Sequence, residues 1–300
     1  MSAFRSEVER LPYPQVASYR IARGRDDRPV LILHGLGGDS SRLWNVIDRA
    51  ELGFPTLLAP DARMHGDFNP DESSPVSFAH MVRDLLDLLA AIDLREPISI
   101  VGLSMGAGTA LRMSILAPEM VRCLVLIRPA WQNSPVPSNL QAIKTAGECI
   151  RAEGVIAGRL TFMASEPYRE LRTRFPQAAA SALSQFDKPH AEERIARLLD
   201  IVQSVPYDSV HELQAIDAAT LVVGFTGDAL HPLGTARRIA QTIRGAEFSV
   251  IETSHQGAAG ITVDAELRSL VTTFLGSYLL TESDCTDRSN ASERKVEDAT

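Results

Sequence analysis

The sequence is short of cysteine, of positive charge and of long apolar runs. Its three cysteines, Cys123, Cys149 and Cys285, cannot all pair and stand at no metal-ligand spacing. That argues against a disulfide scaffold and a thiolate metal site, and a reducing cytoplasm is the simplest setting. Lys and Arg number 30 against 38 Asp and Glu, a net charge of -8. That balance argues against nucleic-acid binding through a broadly basic surface. No apolar stretch approaches the roughly 20 residues that a membrane span requires. The opening residues, Met1 to Arg10, have neither the apolar core nor the cleavage pattern of a secretory signal. The sequon Asn290-Ala291-Ser292 in a polar tail therefore carries little weight. There is no internal repeat. What remains is ordinary for a soluble globular chain of 300 residues, 45% apolar and 23% charged, enough for one large domain or a domain with an insertion.

Read in order, residues 1–28 are mixed in pattern, with room for a short edge strand at Ala17 to Ala22. Val30 to Leu33 is a buried strand that runs into the glycine-rich turn His34-Gly35-Leu36-Gly37-Gly38-Asp39. A helix is expected from Ser41 to Ala50, and a strand at Thr56 to Ala59. From Ser77 to Ile92, Phe78, Met81, Val82, Leu85, Leu88, Leu89 and Ile92 recur at helical spacing. Further strands fall at Ile98 to Val101 and Cys123 to Ile127. This alternation implies a mostly parallel sheet covered on both faces, with its reactive edge at the carboxyl ends of the strands. The rhythm breaks after Pro129. Residues 131–206 hold no strong strand, and helices are expected near Leu140–Glu153, Arg169–Leu183 and Ala191–Val202. They read as a helical cap inserted into a core made of residues 1–130 and 207–280. Phe162, Met163 and Tyr168 read as packing within the cap. Strands return at Thr220 to Phe225 and Glu247 to Ile251, and a last helix spans Ala265 to Leu280. Residues 281–300 are polar and charged, and are expected to be disordered.

The chemistry starts from Gly102-Leu103-Ser104-Met105-Gly106, set between a strand and a helix. An abrupt strand-to-helix turn strains its central residue and exposes the Ser104 hydroxyl beside a helix N-terminus. A serine hydroxyl needs a base, and the base needs an orienting carboxylate. Asp228 follows the strand ending at Phe225, and His255 follows the strand ending at Ile251. Ser104, Asp228 and His255 are thus the expected catalytic residues, with the amides of Met105 and Leu36 as donors to a developing oxyanion. His34 and His65 read as turn-shaping residues. His231 reads either as a pocket residue or as part of a solvated loop. Arg128, at the reactive end of a buried strand, needs a partner. Either it pairs with a loop carboxylate, or it recognises an anionic substrate. Arg128, His231 and Trp131 are the candidate substrate contacts.

With those motifs in this order, residues 28–280 resemble the α/β-hydrolase superfamily, in its lidded branch of esterases and lipases. The resemblance implies an eight-stranded sheet, a helical lid and no cofactor. One departure is Met64 in Asp61-Ala62-Arg63-Met64-His65-Gly66, where many relatives carry glycine. The expected activity is a serine carboxylesterase acting on a small molecule. The alternatives are an acyltransferase on the same triad and a small-molecule receptor with little turnover. A metal site lacks a ligand cluster, and a nucleotide site lacks the three-glycine spacing. Haloalkane dehalogenation would need a carboxylate at position 104. The partners expected are a small-molecule substrate and, as an option for assembly, a second copy in a homodimer.

Overall fold

The computed structural model describes residues 7–10, 18–68, 75–252 and 265–280. His255 and the tail 281–300 lie outside the described residues. Eight strands form one sheet: β1 (Glu7–Arg10), β2 (Ser18–Ala22), β3 (Arg25–Leu33), β4 (Pro55–Pro60), β5 (Ile98–Leu103), β6 (Val121–Ile127), β7 (Ala219–Phe225) and β8 (Glu247–Ile251). Their order is β1-β2-β4-β3-β5-β6-β7-β8. The β1–β2 and β2–β4 pairings are antiparallel, and all the others are parallel. The expected eight-stranded, mostly parallel sheet is therefore present.

Strand alternation divides the core between two faces. On β3, Leu31 and Leu33 pack with α1 (Phe78–Ala91), α2 (Met105–Leu116) and α8 (Leu233–Thr242). Val30 and Ile32 point the other way, toward Leu43, Val46 and Ile47 and the apolar side of α9 (Ala265–Leu279). The apolar stripe read between Ser77 and Ile92 is the buried face of α1, and the Ser77 hydroxyl caps that helix by accepting the His80 N–H at 3.3 Å.

Between β6 and β7 the chain is helical: α3 (Gln141–Ala164), α4 (Glu166–Arg174), α5 (Pro176–Leu183), α6 (Ala196–Leu199) and α7 (Val210–Gln214). Side chains of this segment, among them Ile143, Phe162 and Ile201, share a core with Met105 at the start of α2 and with Leu230. The segment therefore packs on Met105, which follows Ser104, and on Leu230, which follows β7.

Three helix expectations need correction. Residues 41–50 form successive turns, because Asp39 takes both the N–H and the hydroxyl of Ser41 and Leu43 sits at φ 61°. Arg169–Leu183 is two helices, since Pro176 forces Phe175 out of helical geometry. Ala191–Val202 keeps only the four residues of α6, as Arg197 and Leu198 bond three residues back while Leu199 bonds four back. The helix expected to stop at Glu153 has its break at Gly154, where φ is 74° and ψ -178°, and then continues to Ala164.

Close packing of α2 on the sheet fixes where Ser104 sits. A Cβ on Gly106 would stand 2.2 Å from the Leu33 carbonyl oxygen, and one on Gly102 would stand 2.4 Å from that of Gly106. Backbone cannot yield as a side-chain tip can. Gly106→Ala is therefore expected to cost about 3 kcal/mol or more in chemical denaturation. Gly276→Ala in α9, whose nearest neighbour is at 3.6 Å, should instead raise stability by up to about 1 kcal/mol.

Candidate active site

Ser104 leaves β5 and enters α2 with φ 54° and ψ -107°, a conformation costly for any residue with a side chain. The surroundings over-determine it. Its N–H donates to the Ile127 carbonyl at 2.9 Å, and its carbonyl accepts from Gly108 N–H at 3.1 Å. Arg128, next along β6, repeats the device one strand over: φ is 50° and its N–H donates to Val223 at 2.8 Å. Two neighbouring strands thus end in strained residues whose side chains serve one place.

That place is completed by the turn after β7. Asp228 Oδ1 accepts the N–H groups of Leu230 and His231, each at 3.1 Å, so the turn curls back on its own carboxylate. Curling brings the His231 ring over the aspartate. Its Nδ1 stands 2.9 Å from Asp228 Oδ2, and its Nε2 stands 2.8 Å from Ser104 Oγ. Arg128 closes the array from β6, with Nε 2.5 Å from the same Oδ2 and Nη2 paired to it as well. The guanidinium carbon also lies 5.5 Å from the centre of the Phe225 ring.

Both carboxylate oxygens of Asp228 are therefore occupied by donors. Burial alone would raise its carboxyl. The facing His231, then Arg128, bring it down to about 2 through charge and hydrogen bonding. Burial pushes the His231 imidazole below its ordinary value against the pull of Asp228, and the Arg128 charge adds to the lowering. Near neutral pH the array holds a carboxylate, an uncharged imidazole and a hydroxyl in line. Such a line can pass a proton from Ser104 to His231 while Asp228 steadies the resulting cation.

Facing Ser104 is the turn after β3. Gly38 N–H donates to Gly35 at 3.0 Å, and a Cβ on Gly35 would be 3.4 Å from that of Ser104. His34 braces this turn: its Nε2 accepts the Ala62 N–H at 3.0 Å, which leaves Nδ1 to donate to the Gly35 carbonyl at 2.8 Å. Burial lowers its pKa, in keeping with this uncharged form. Asp61 ties the adjoining loop by accepting Ser40 N–H at 2.7 Å and Asp67 N–H at 2.9 Å. Met64, in that loop, has φ 62°, a left-handed conformation that glycine adopts more easily. Leu36 follows Gly35 in the turn, and Met105 is the first residue of α2, whose N–H has no acceptor within its own helix.

Of the residues singled out from sequence, the fold brings Ser104, Asp228, His231 and Arg128 together. His255 lies outside the described residues. Trp131 is buried, with its indole N–H given to Ile201 at 3.0 Å and its edge set against Phe78 at 5.5 Å, so its ring is engaged in packing. For His231 the sequence leaves both a pocket and a solvated loop open. Its signal was the three-residue spacing Asp228-Ala229-Leu230-His231 ahead of a proline, the length at which a turn closes on its first carboxylate.

Comparison with known proteins gives a consistent neighbourhood. The model of the alpha/beta hydrolase family matches residues 30–262. Pyrrolizixenacetamide deacetylase of Xenorhabdus hominickii is 23% identical over 75% of this chain and 83% of its own length. A non-heme chloroperoxidase of Kitasatospora aureofaciens is 28% identical over 80% of this chain and 88% of its own. The crystal structure of the enol-lactonase from Burkholderia xenovorans superposes with a TM-score of 0.62 at 22% identity, covering 86% of this chain and 96% of that one.

Proposed function

The chain belongs to the alpha/beta hydrolase family, and from that premise we propose that it is a serine hydrolase of small-molecule carboxylic esters, with Ser104 as nucleophile, His231 as base and Asp228 as the residue that orients the base. The observation that carries this reading is the unbroken line from Ser104 Oγ to His231 Nε2 at 2.8 Å and from His231 Nδ1 to Asp228 at 2.9 Å. The Ser104 proton passes to His231 as Oγ attacks the ester carbonyl carbon. The oxyanion forms against the amides of Leu36 and Met105. Collapse expels the alkoxide, which takes the proton from His231 and leaves as the alcohol. Water then gives a proton to His231 and attacks the acyl-enzyme. The acid departs, and Ser104 regains its proton. Residues 131–206 act as the lid that excludes bulk water during these steps.

Hydrolysis of p-nitrophenyl esters of increasing acyl length, with labelling by a fluorophosphonate, tests this reading. Turnover of at least one ester and labelling confined to Ser104 are expected. No turnover and no labelling would remove the hydrolase reading and leave a binding protein.

Arg128 is assigned as a positioning residue in the same reading. It holds Asp228 and disfavours charge on His231. The base works only when unprotonated, so kcat/KM should fall as pH drops through a value below 6.5. Arg128→Leu removes a positive charge that opposes the imidazolium. Its acid limb should therefore move to higher pH. Losses on neutral and anionic esters of similar size should be equal, whereas a loss confined to the anionic ester would make Arg128 a substrate contact.

A further inference from the structure

The helical segment between β6 and β7 buries two arginines that no carboxylate among the described residues balances. Arg197 is 2% exposed and Arg194 is 8% exposed. Arg197 gives Nη1 to the Gln185 side-chain oxygen and Nη2 to the Gln185 main-chain oxygen at 3.1 Å. Arg194 gives Nη1 to the Gly66 carbonyl at 2.7 Å, and its Nε is buried with no partner. Among the described residues no Asp or Glu pairs with either guanidinium. His65, 3% exposed, is the third member. Its Nδ1 bonds the Arg63 carbonyl at 2.9 Å, while its Nε2 is buried and without a partner. Burial lowers Arg197 to about 10, with the Arg194 charge next. Burial also holds His65 well below its ordinary value, with the charges of Arg197 and Arg194 acting the same way. Burying a cation without its counter-charge is costly, and buried groups with strongly perturbed ionisation cluster at functional sites.

The cluster adjoins the proposed site. The Gln185 amide lies 3.0 Å from where a Cβ on Gly37 would stand, one residue past Leu36. His65 lies beside His34, ring centres 5.1 Å apart, and His34 braces the turn that carries Leu36. The two carbonyl oxygens of Gln185 offer Arg197 the two acceptors that a carboxylate would offer, without the charge.

We propose that Arg194 and Arg197 form an anion subsite that receives a carboxylate of the substrate, so that the preferred esters carry a free carboxylate several bonds from the scissile carbonyl. This rests on the hydrolase reading above and names its substrate class. When the substrate enters, its carboxylate replaces the Gln185 side-chain oxygen on Arg197, and the amide swings aside.

The test compares mono-p-nitrophenyl glutarate with p-nitrophenyl butyrate, at low and at high salt. The intact protein should prefer the anionic ester by about tenfold or more in kcat/KM, with the preference shrinking in salt. Arg197→Met should bring the ratio to one or below, chiefly through KM, and Arg197→Lys should restore part of it. An intact protein without the preference, or an Arg197→Met ratio equal to that of the parent, overturns the subsite. Should Arg197→Met fail to fold, Arg194→Gln takes its place. A second readout does not depend on turnover. Glutarate should raise the Tm of the Ser104→Ala protein, and adding Arg194→Gln should cancel the rise; no rise, or an equal rise in both proteins, overturns the subsite. If neither ester is cleaved, the hydrolase reading fails while the glutarate measurement still decides the subsite.

Discussion

Ser104→Ala is expected to lower kcat by on the order of 10⁴- to 10⁶-fold while leaving the fold intact, since in the proposed mechanism its hydroxyl is the group that bonds to the carbonyl carbon. The same position makes a second, opposite statement about stability. Ser104 is held at φ 54° and ψ -107°, where a Cβ is penalised. Ser104→Gly and Ser104→Ala both lose the hydroxyl and its bond to His231. They differ only in the strain and in backbone freedom. Ser104→Gly should therefore unfold at higher denaturant than Ser104→Ala, by about 1 kcal/mol, with both proteins inactive. An alanine variant as stable as the glycine variant would mean that the turn is not strained. Residual esterase activity within about tenfold of the parent would remove Ser104 from the chemistry.

His231→Ala is expected to lower kcat/KM by about 10²- to 10⁴-fold, the range of a positioned base. The loss should fall on kcat, because the imidazole acts in the transition state and holds no substrate in the ground state. Its acid limb should vanish with it, since the group that titrates there is gone. His231→Ala also strips Asp228 of one of its donors, while Arg128 and two main-chain N–H groups remain on that carboxylate. The fold should thus survive, which makes the kinetic result interpretable. Exogenous imidazole, small enough to enter the vacated space, should restore part of the activity.

The parts of this site that were legible in the sequence are those fixed by backbone geometry. Gly102 and Gly106 announce a close approach of α2 to β3 and β5, so Ser104 could be placed from residue types alone. Asp228 could be placed because it follows a strand that reads clearly as buried. Arg128 could be marked as needing a partner because a charge at the end of such a strand is expensive. The identity of that partner was not legible, since Arg128 and Asp228 are one hundred positions apart and meet only when β6 and β7 pair. The contacts of His231 are hard to read from sequence for another reason: they depend on a single turn that folds the imidazole back over its own carboxylate and toward Ser104. The helical segment was legible as helical and poorly legible in its breaks, because Phe175 and residues 191–202 answer to Pro176 and to local turn bonding rather than to apolar spacing. Nothing in the sequence marks Arg194 and Arg197, because only the packing of that segment turns them inward.

The central claim is that the imidazole at 231 takes the proton of Ser104. Its most direct test is the second-order rate constant for fluorophosphonate labelling of Ser104, measured side by side in His231→Gln and His255→Gln at matched folded fraction. Labelling should slow by at least about 10²-fold in His231→Gln and stay within about threefold of the parent in His255→Gln. Near-parental labelling of His231→Gln, with loss in His255→Gln, would contradict the assignment and pass the role of base to the histidine beyond β8.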